Sequence, residues 1–338
     1  MYEKGLVNII TPSYNSAHLI PHLLDSILAQ TYPHISMFVI DDGSTDNTKE
    51  VIYNYIPLFT QKGYRLQYVY QPNGGQSAAI NNGLKLVTGE FLAWPDSDDW
   101  YKTDDAIETM VAMLQKTNDN VGLVRCQIEF ISEQTLLTER STAITPCDKP
   151  NDLMDEAIYQ TNSFFYAPIG WMVKTKYLDA YIPNRDIYVD KCAGQNAQML
   201  LPYIANSKCV TSEKVLANYL VRKDSHSRER RDYQIQMEYY EAQLNCFIST
   251  LRSIKAIPLN KMLIYVQAKQ EFYYKLLMDL DCSYNNIRNF RRHYKTCMSL
   301  NIPVETQYKC LYRWTNIYSI KSYKMMMRVI NRLRKLYK

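Results

Sequence analysis

The 338-residue sequence contains no run approaching the roughly twenty apolar residues that a membrane-spanning helix requires. Its opening, "MYEKGLVNIITPSYN", reaches Asn8 and Ser13 too early for the apolar core of a secretory signal. These two absences give the expectation of a cytoplasmic protein. The eight cysteines (Cys126, Cys147, Cys192, Cys209, Cys246, Cys282, Cys297 and Cys310) form no Cys-x-x-Cys pair and no Cys/His ligand spacing. That argues against a zinc site and for free thiols in a reducing compartment. There is no internal repeat and no low-complexity tract. No G-x-x-x-x-G-K-[ST] occurs, and the "NGG" at Asn73 to Gly75 lacks the spacing of a dinucleotide G-x-G-x-x-G, which disfavours a dehydrogenase of the Rossmann type.

What is present suits a globular chain. Hydrophobic residues make up 46% and charged residues 22% of the chain, enough for a substantial core. The net charge of +5 hides an asymmetry: residues 225–338 carry 21 Lys and Arg against 8 Asp and Glu, a balance of +13, which leaves −8 for residues 1–224. The charge-rich "KDSHSRERRD" lies where the balance changes. We therefore read two regions, 1–225 and 226–338, with different partners.

The first region alternates strands and helices. "LVNIITPSYN" is a short β-branched run ending at Pro12, followed by "SAHLIPHLLDSILAQ", whose Leu19, Leu23, Leu24, Ile27 and Leu28 share a helical face with Ser16 as the expected N-cap. "SMFVIDDGSTDNTKEVIYNYI" repeats this order, with a helix capped near Thr45 or Asp46. "RLQYVYQPNGGQSAAINNGLKLV" and "EFLAWPDSDDWYKTDDAIETMVAML" do so twice more. Four such units imply an α/β fold with a mostly parallel sheet and helices on both faces. Further along, "VGLVRCQIEFI" reads as a strand, "WMVKTKYLDAYI" and "GQNAQMLLPYIA" as helices, and "KCVTSEKVLANYLVR" as a strand pair. After Ser225 long helical patterns dominate.

Polar clusters sit where each of the first four strands stops: Pro12 to Asn15, Asp41 to Ser44, Asn73 to Gly75 and Asp96 to Asp99. Open α/β sheets bind ligands outside the carboxyl ends of their strands, so the four clusters should face one crevice. The Asp-x-Asp of "DSDDW" suits a hard divalent cation bound to a diphosphate. It equally suits an acidic loop ahead of a helix that begins near Thr103. Asp41 and Asp42 have a turn reading of the Asx kind beside any ligand role.

In their order and spacing, "PSYNS", "DDGSTDNT", "QPNGGQSAAINNGL" and "DSDDW" resemble the family 2 glycosyltransferases of the GT-A fold over roughly residues 5–225. The resemblance implies that Pro12, Tyr14 and Asp42 line a nucleotide-base pocket, that Asn73, Asn81 and Asp96 belong to the nucleotide-sugar site, and that Asp98 ligates Mn²⁺ or Mg²⁺ on the diphosphate. The family often carries Arg before the Asn of its third helix, where this sequence has Ile80. It usually places Glu-Asp at the head of a late helix with the Asp as base, and the matching "AGQNAQMLLP" has Gln195 and Asn196 there. An amide orients a sugar hydroxyl but accepts no proton at neutral pH. The base candidates are then Asp190 first, with His226 and Asp224 behind it.

From Leu311 to Lys338 there are eight Lys or Arg and no acid, interleaved with aromatic and apolar residues. This reads either as a basic helix on an anionic membrane surface or as a helix packed on its own chain or on another subunit. No nucleic-acid module is present. The expectation is a metal-dependent, inverting glycosyltransferase acting from a nucleotide-sugar donor, a uridine diphosphate sugar by analogy, on a growing surface glycan. The competing readings are a non-catalytic nucleotide-sugar or glycan-binding subunit of an assembly complex, and a nucleotidyltransferase. The latter would want a Gly-rich, basic phosphate loop after the first strand, where "TPSYNSAH" offers neither.

Overall fold

The computed structural model describes residues 2–145, 152–190, 192–222, 232–315 and 319–336. The chain divides into two units, Met1–Glu229 with Ser249–Pro258, and Arg230–Ile248 with Leu259–Lys338. The change thus falls close to the charge-rich break, but a ten-residue segment beyond it returns to the first unit.

Among the described residues the first unit is built on one nine-stranded sheet. Its opening elements are β1 (Glu3–Ser13), α1 (Ile20–Leu28), β2 (Ile35–Asp41), α2 (Thr48–Lys62), β3 (Arg65–Tyr70), α3 (Gln76–Leu84), β4 (Gly89–Ala93), β5 (Trp100–Tyr101) and α4 (Ala106–Gln115). There follow β6 (Val121–Ser132), β7 (Thr138–Ser141), α5 (Met154–Tyr159), β8 (Trp171–Lys174), α6 (Leu178–Tyr181), α7 (Asn196–Asn206), β9 (Lys208–Val221) and α8 (Tyr233–Ser253), whose start belongs to the second unit and whose end belongs to the first. The strand order is β3-β2-β1-β4-β8-β6-β9-β5, with β7 on β6. Strands β1 to β4 pair in parallel. Because β8 is antiparallel to both β4 and β6, and β9 is parallel to β6, six of the nine strands share one direction.

Both faces of β1 are covered. Val7 and Ile9 join Leu23, Leu24 and Ile27 of α1 and Met110 of α4 in the main core. Alternation sends Ile10 to the opposite face, where α3 approaches so closely that a Cβ on Gly83 would lie 2.3 Å from Ile10 Cγ2. That glycine lets α3 lie tight on the sheet, with its first turn at the carboxyl ends of the strands.

Three local expectations need correction. Helix α1 starts at Ile20 with Pro21 in its first turn, where the fixed φ of proline is favoured. Ser16 is therefore not its N-cap, and its carbonyl instead accepts the N–H groups of Leu19 and Ile20. "WMVK" is not helical but is strand β8, all four residues buried, since pairing on both edges overrides local preference. "KCVTSEKVLANYLV" is one 14-residue strand rather than a pair, following β6 in parallel through register shifts.

The second unit is helical. It holds most of α8 together with α9 (Leu259–Ser283), α10 (Ile287–Ser299), α11 (Thr306–Trp314) and α12 (Ile320–Leu336). Its core collects Met278, Phe290, Cys297, Tyr308, Leu311 and Ile320. A buried polar cluster ties three of its helices: Tyr233 Oη donates to Asp281 Oδ1 at 2.6 Å, and His293 Nδ1 lies 2.7 Å from Asp281 Oδ2. Among the described residues no helix is long and apolar enough to cross a membrane.

Candidate functional site

The four polar clusters meet at the carboxyl ends of β1 to β4, and hydrogen bonds join one loop to the next. After β1, Asn15 N–H donates to Ser44 Oγ at 2.9 Å, and Asn15 Oδ1 accepts from Thr45 N–H at 2.8 Å. After β2, Asp41 makes the turn: Oδ1 takes the Ser44 N–H at 2.8 Å, and Oδ2 takes the Tyr68 hydroxyl at 2.6 Å. Asp42, 4% exposed, reaches across to the loop after β3. Its Oδ1 accepts from Gly74 N–H and Gln71 Nε2 at 2.8 and 2.7 Å, and its Oδ2 from Gly75 N–H at 2.8 Å. Asn73 completes the clasp by donating to the Asp42 carbonyl at 3.0 Å. Asp42 and Asn73 are thus brought together, each holding the other's loop.

Pro12 is buried within β1, opposite Ile40 of β2, while Tyr14 just beyond the strand is 50% exposed. Asn81 is buried, and its side chain is committed to the Ile187 backbone, donating to the carbonyl at 2.9 Å and accepting from the N–H at 2.8 Å. It shapes the loop before α7. Ile80 beside it is fully buried in the core, so α3 lends no positive charge at that position.

The floor is the acidic stretch after β4. Asp96 Oδ1 accepts from Gln76 Nε2 of α3 at 2.7 Å and from Gln195 Nε2, at the head of α7, at 2.9 Å. Asp99 is wholly buried and accepts the Leu220 N–H of β9 on Oδ1 at 3.0 Å. Asp98 Oδ2 pairs with Arg222, one residue past the end of β9, at 3.0 Å. Burial and then the Asp98 charge push the Asp96 carboxyl up to about 7, although one edge of the residue still meets solvent. Asp99 is pushed well above the usual carboxylate range, by burial first and then by the charges of Asp98 and Asp96. Arg222 opposes both shifts.

Four buried polar atoms around this floor make no hydrogen bond among the described residues: Asp99 Oδ2, Gln195 Oε1, Asn196 Oδ1 and Arg222 Nε. Native structures leave few such groups, and each calls for a partner. Crowded hard oxygens in want of positive charge, with orphaned acceptors beside them, fit a divalent cation and a polar ligand. Among the described residues no group of three or more His, Cys, Asp or Glu forms a ready-made cation cage. Such a cation would complete its shell from ligand oxygens and water.

Asp190 is half-buried, and its Oδ1 accepts the Cys192 N–H at 2.7 Å, a local turn contact. The loop that carries it is held against α3 by Ser77 Oγ, which donates to the Ala193 carbonyl at 3.3 Å. His226 and Asp224 lie outside the described residues. Sequence reasoning missed Arg222 and Gln76. The only signal for Arg222 was an arginine closing the apolar "ANYLV" just ahead of the charge-rich break.

A sequence profile of the family described as "Glycosyl transferase family 2" matches residues 8–182. An uncharacterized glycosyltransferase of Rickettsia typhi is 36% identical over 130 residues, 38% of this chain and 38% of its own length. The putative teichuronic acid biosynthesis glycosyltransferase TuaG of Bacillus subtilis is 35% identical over 115 residues, 34% of this chain and 44% of its own. The shared stretch thus spans less than half of either relative. Among solved structures, S. aureus TarS 1–349 in complex with UDP-GlcNAc superposes with a TM-score of 0.65 at 18% identity, covering 88% of this chain and 82% of that one. The mannosyltransferase PcManGT of Pyrobaculum calidifontis, in complex with GDP-Man and Mn²⁺, gives 0.52 at 17% identity, with 96% and 84% covered.

Proposed function

The chain belongs to glycosyl transferase family 2, and on that premise we propose that it moves a sugar from a nucleoside diphosphate to a hydroxyl of a growing cell-surface glycan, with inversion at the anomeric carbon. The observation that carries this reading is the acidic floor at the strand ends, with its ring of orphaned polar atoms. A uridine diphosphate sugar is the first donor to test, since the TarS structures hold UDP-GlcNAc and UDP.

In this reading Tyr14 stacks on the base, and the clasp of Asp42 with Gly74 and Gly75 shapes the wall of the nucleotide pocket. Asp96, oriented by Gln76 and Gln195, faces the ribose and sugar. Asp98 would hold Mn²⁺ or Mg²⁺, and such a cation would supply Lewis acidity for the departing diphosphate. The acceptor oxygen forms its bond to the anomeric carbon as the bond to the diphosphate breaks, and its proton passes to a base. Gln195 and Asn196 are amides and serve only to orient. Asp190, whose second carboxylate oxygen makes no hydrogen bond among the described residues, is the base we assign.

The basic face of α12 supports a peripheral seat on an anionic membrane. Lys321, Lys324, Met325 and Arg328 are all exposed there, while Ile320 is buried in the core of the second unit. An acceptor on a lipid carrier would suit that placement.

The test is titration calorimetry with nucleoside diphosphates, with and without Mn²⁺, followed by turnover. Asp98→Ala should remove the metal-dependent part of UDP binding and lower kcat at least 100-fold while the fold stays intact by circular dichroism. Asp190→Asn should lower kcat by a factor of 100 or more with unchanged UDP affinity, the loss that removing a general base brings. Full activity with the metal chelated would overturn the cation assignment. Nucleotide binding without any donor cleavage would turn the reading to a binding subunit.

A further inference from the structure

One partner of Asp98 is the Arg222 side chain. Arg222 leaves the end of β9 and places an Nη 3.0 Å from Asp98 Oδ2, with the two side chains only 18% and 21% exposed. The Nε of the guanidinium is buried with no hydrogen-bond partner among the described residues. Its backbone is anchored two residues earlier, where Leu220 N–H is held by the buried Asp99 carboxylate. Rotation of the arginine side chain alone would therefore move the guanidinium while β9 stays in place.

A divalent cation binds carboxylate oxygen at roughly 2.0–2.6 Å, and a guanidinium on the same oxygen would be a like charge within contact distance. The two cannot share Asp98 Oδ2. The planar fork of arginine suits a phosphate as well as a carboxylate, and its unused N–H gains a partner if phosphate oxygens arrive. We propose that Arg222 is the exchangeable counter-ion of Asp98: it pairs with the carboxylate and passes to the diphosphate when nucleotide and divalent cation enter. The cation and the nucleotide then enter interdependently, and bare cation alone is resisted. This inference rests on the donor-site reading above.

The experiment is a calorimetric square on the full chain, using Mn²⁺ alone, UDP alone and each in the presence of the other. It compares the wild type with Arg222→Gln and Arg222→Lys. Arg222→Met, which keeps the aliphatic stem, replaces the Gln variant if that one fails to fold. Removing the charge should tighten Mn²⁺ binding without nucleotide by about 10-fold and weaken UDP binding without metal by a similar factor, so that the mutual enhancement shrinks within the roughly 5- to 150-fold range usual for coupled sites. Arg222→Lys should keep Mn²⁺ weak, since a cation still faces Asp98.

Mn²⁺ binding to the charge-free variants no tighter than to the wild type overturns the proposal, as does UDP binding that ignores Arg222. If the wild type binds no UDP under any condition, the donor-site reading falls. The Mn²⁺ gain in Arg222→Gln still decides whether Arg222 guards Asp98.

Discussion

Asp41 and Asp42 are adjacent, identical in chemistry and different in task. Asp41 closes its own turn, and Asp42 reaches 32 and 33 positions along the chain to the N–H groups of Gly74 and Gly75. Gly43 makes the reach available. Its φ is +81°, and a Cβ there would lie 2.8 Å from Asn73 N. Gly43→Ala should therefore lower stability by about 1–3 kcal/mol through backbone strain and weaken UDP binding by spoiling the clasp. Urea unfolding and calorimetry read the two effects, and UDP affinity equal to the wild type would show that the clasp is not part of the nucleotide pocket. The turn role of Asp41 was legible in the sequence because Asx turns are local. The partners of Asp42, Asn81 and Arg222 were not, since each lies on another element and nothing in a one-dimensional pattern says which elements will touch.

Elements were legible in proportion to how far local pattern governs them. The four strand, turn and helix units of the first half carry alternating periodicities and turn residues, and they form as read. β8 and the unbroken β9 were misread because their conformation is imposed by neighbouring strands. In the second unit, Lys269 of α9 stands out as a helix-borne charge that is only 3% exposed, with Nζ 4.6 Å from the ring centre of Phe247 on α8. Burial lowers its ammonium from the ordinary 10.5 to about 8. Between those two values the unfolded chain holds a proton that the folded chain has released, so stability rises with pH across that window and is penalised below about 8. Lys269→Met should raise the urea midpoint at pH 7 and flatten the rise between pH 8 and 10. A midpoint that falls at pH 7 would mean that the cation–π contact outweighs the burial penalty.

At the scale of the whole molecule, charge is unevenly shared, acidic in the first region and basic in the second. Lys321, Lys324 and Arg328 lie exposed on α12. At about 1 kcal/mol for each basic residue near an anionic surface, replacing all three by Gln should weaken binding to phosphatidylserine vesicles about 100-fold at low salt, with the difference shrinking as salt screens the charges. Vesicle sedimentation unchanged by the triple substitution would leave packing as the role of the helix.

The ten residues Ser249–Pro258 belong to the first unit although Arg230–Ile248, just before them, belong to the second. Ser249, Thr250 and Ser253 help to line a cavity of about 250 Å³ beside Tyr181, Tyr188 and Gln198, all within the first unit. No single crossover point separates the two units. A break at residue 229 leaves Ser249–Pro258 behind, and a break at residue 258 carries Arg230–Ile248 along. Exchange between relatives at either point yields a hybrid with one unit of mixed parentage, so the acidic strand-end loops of the first unit and the basic helices of the second are best exchanged together.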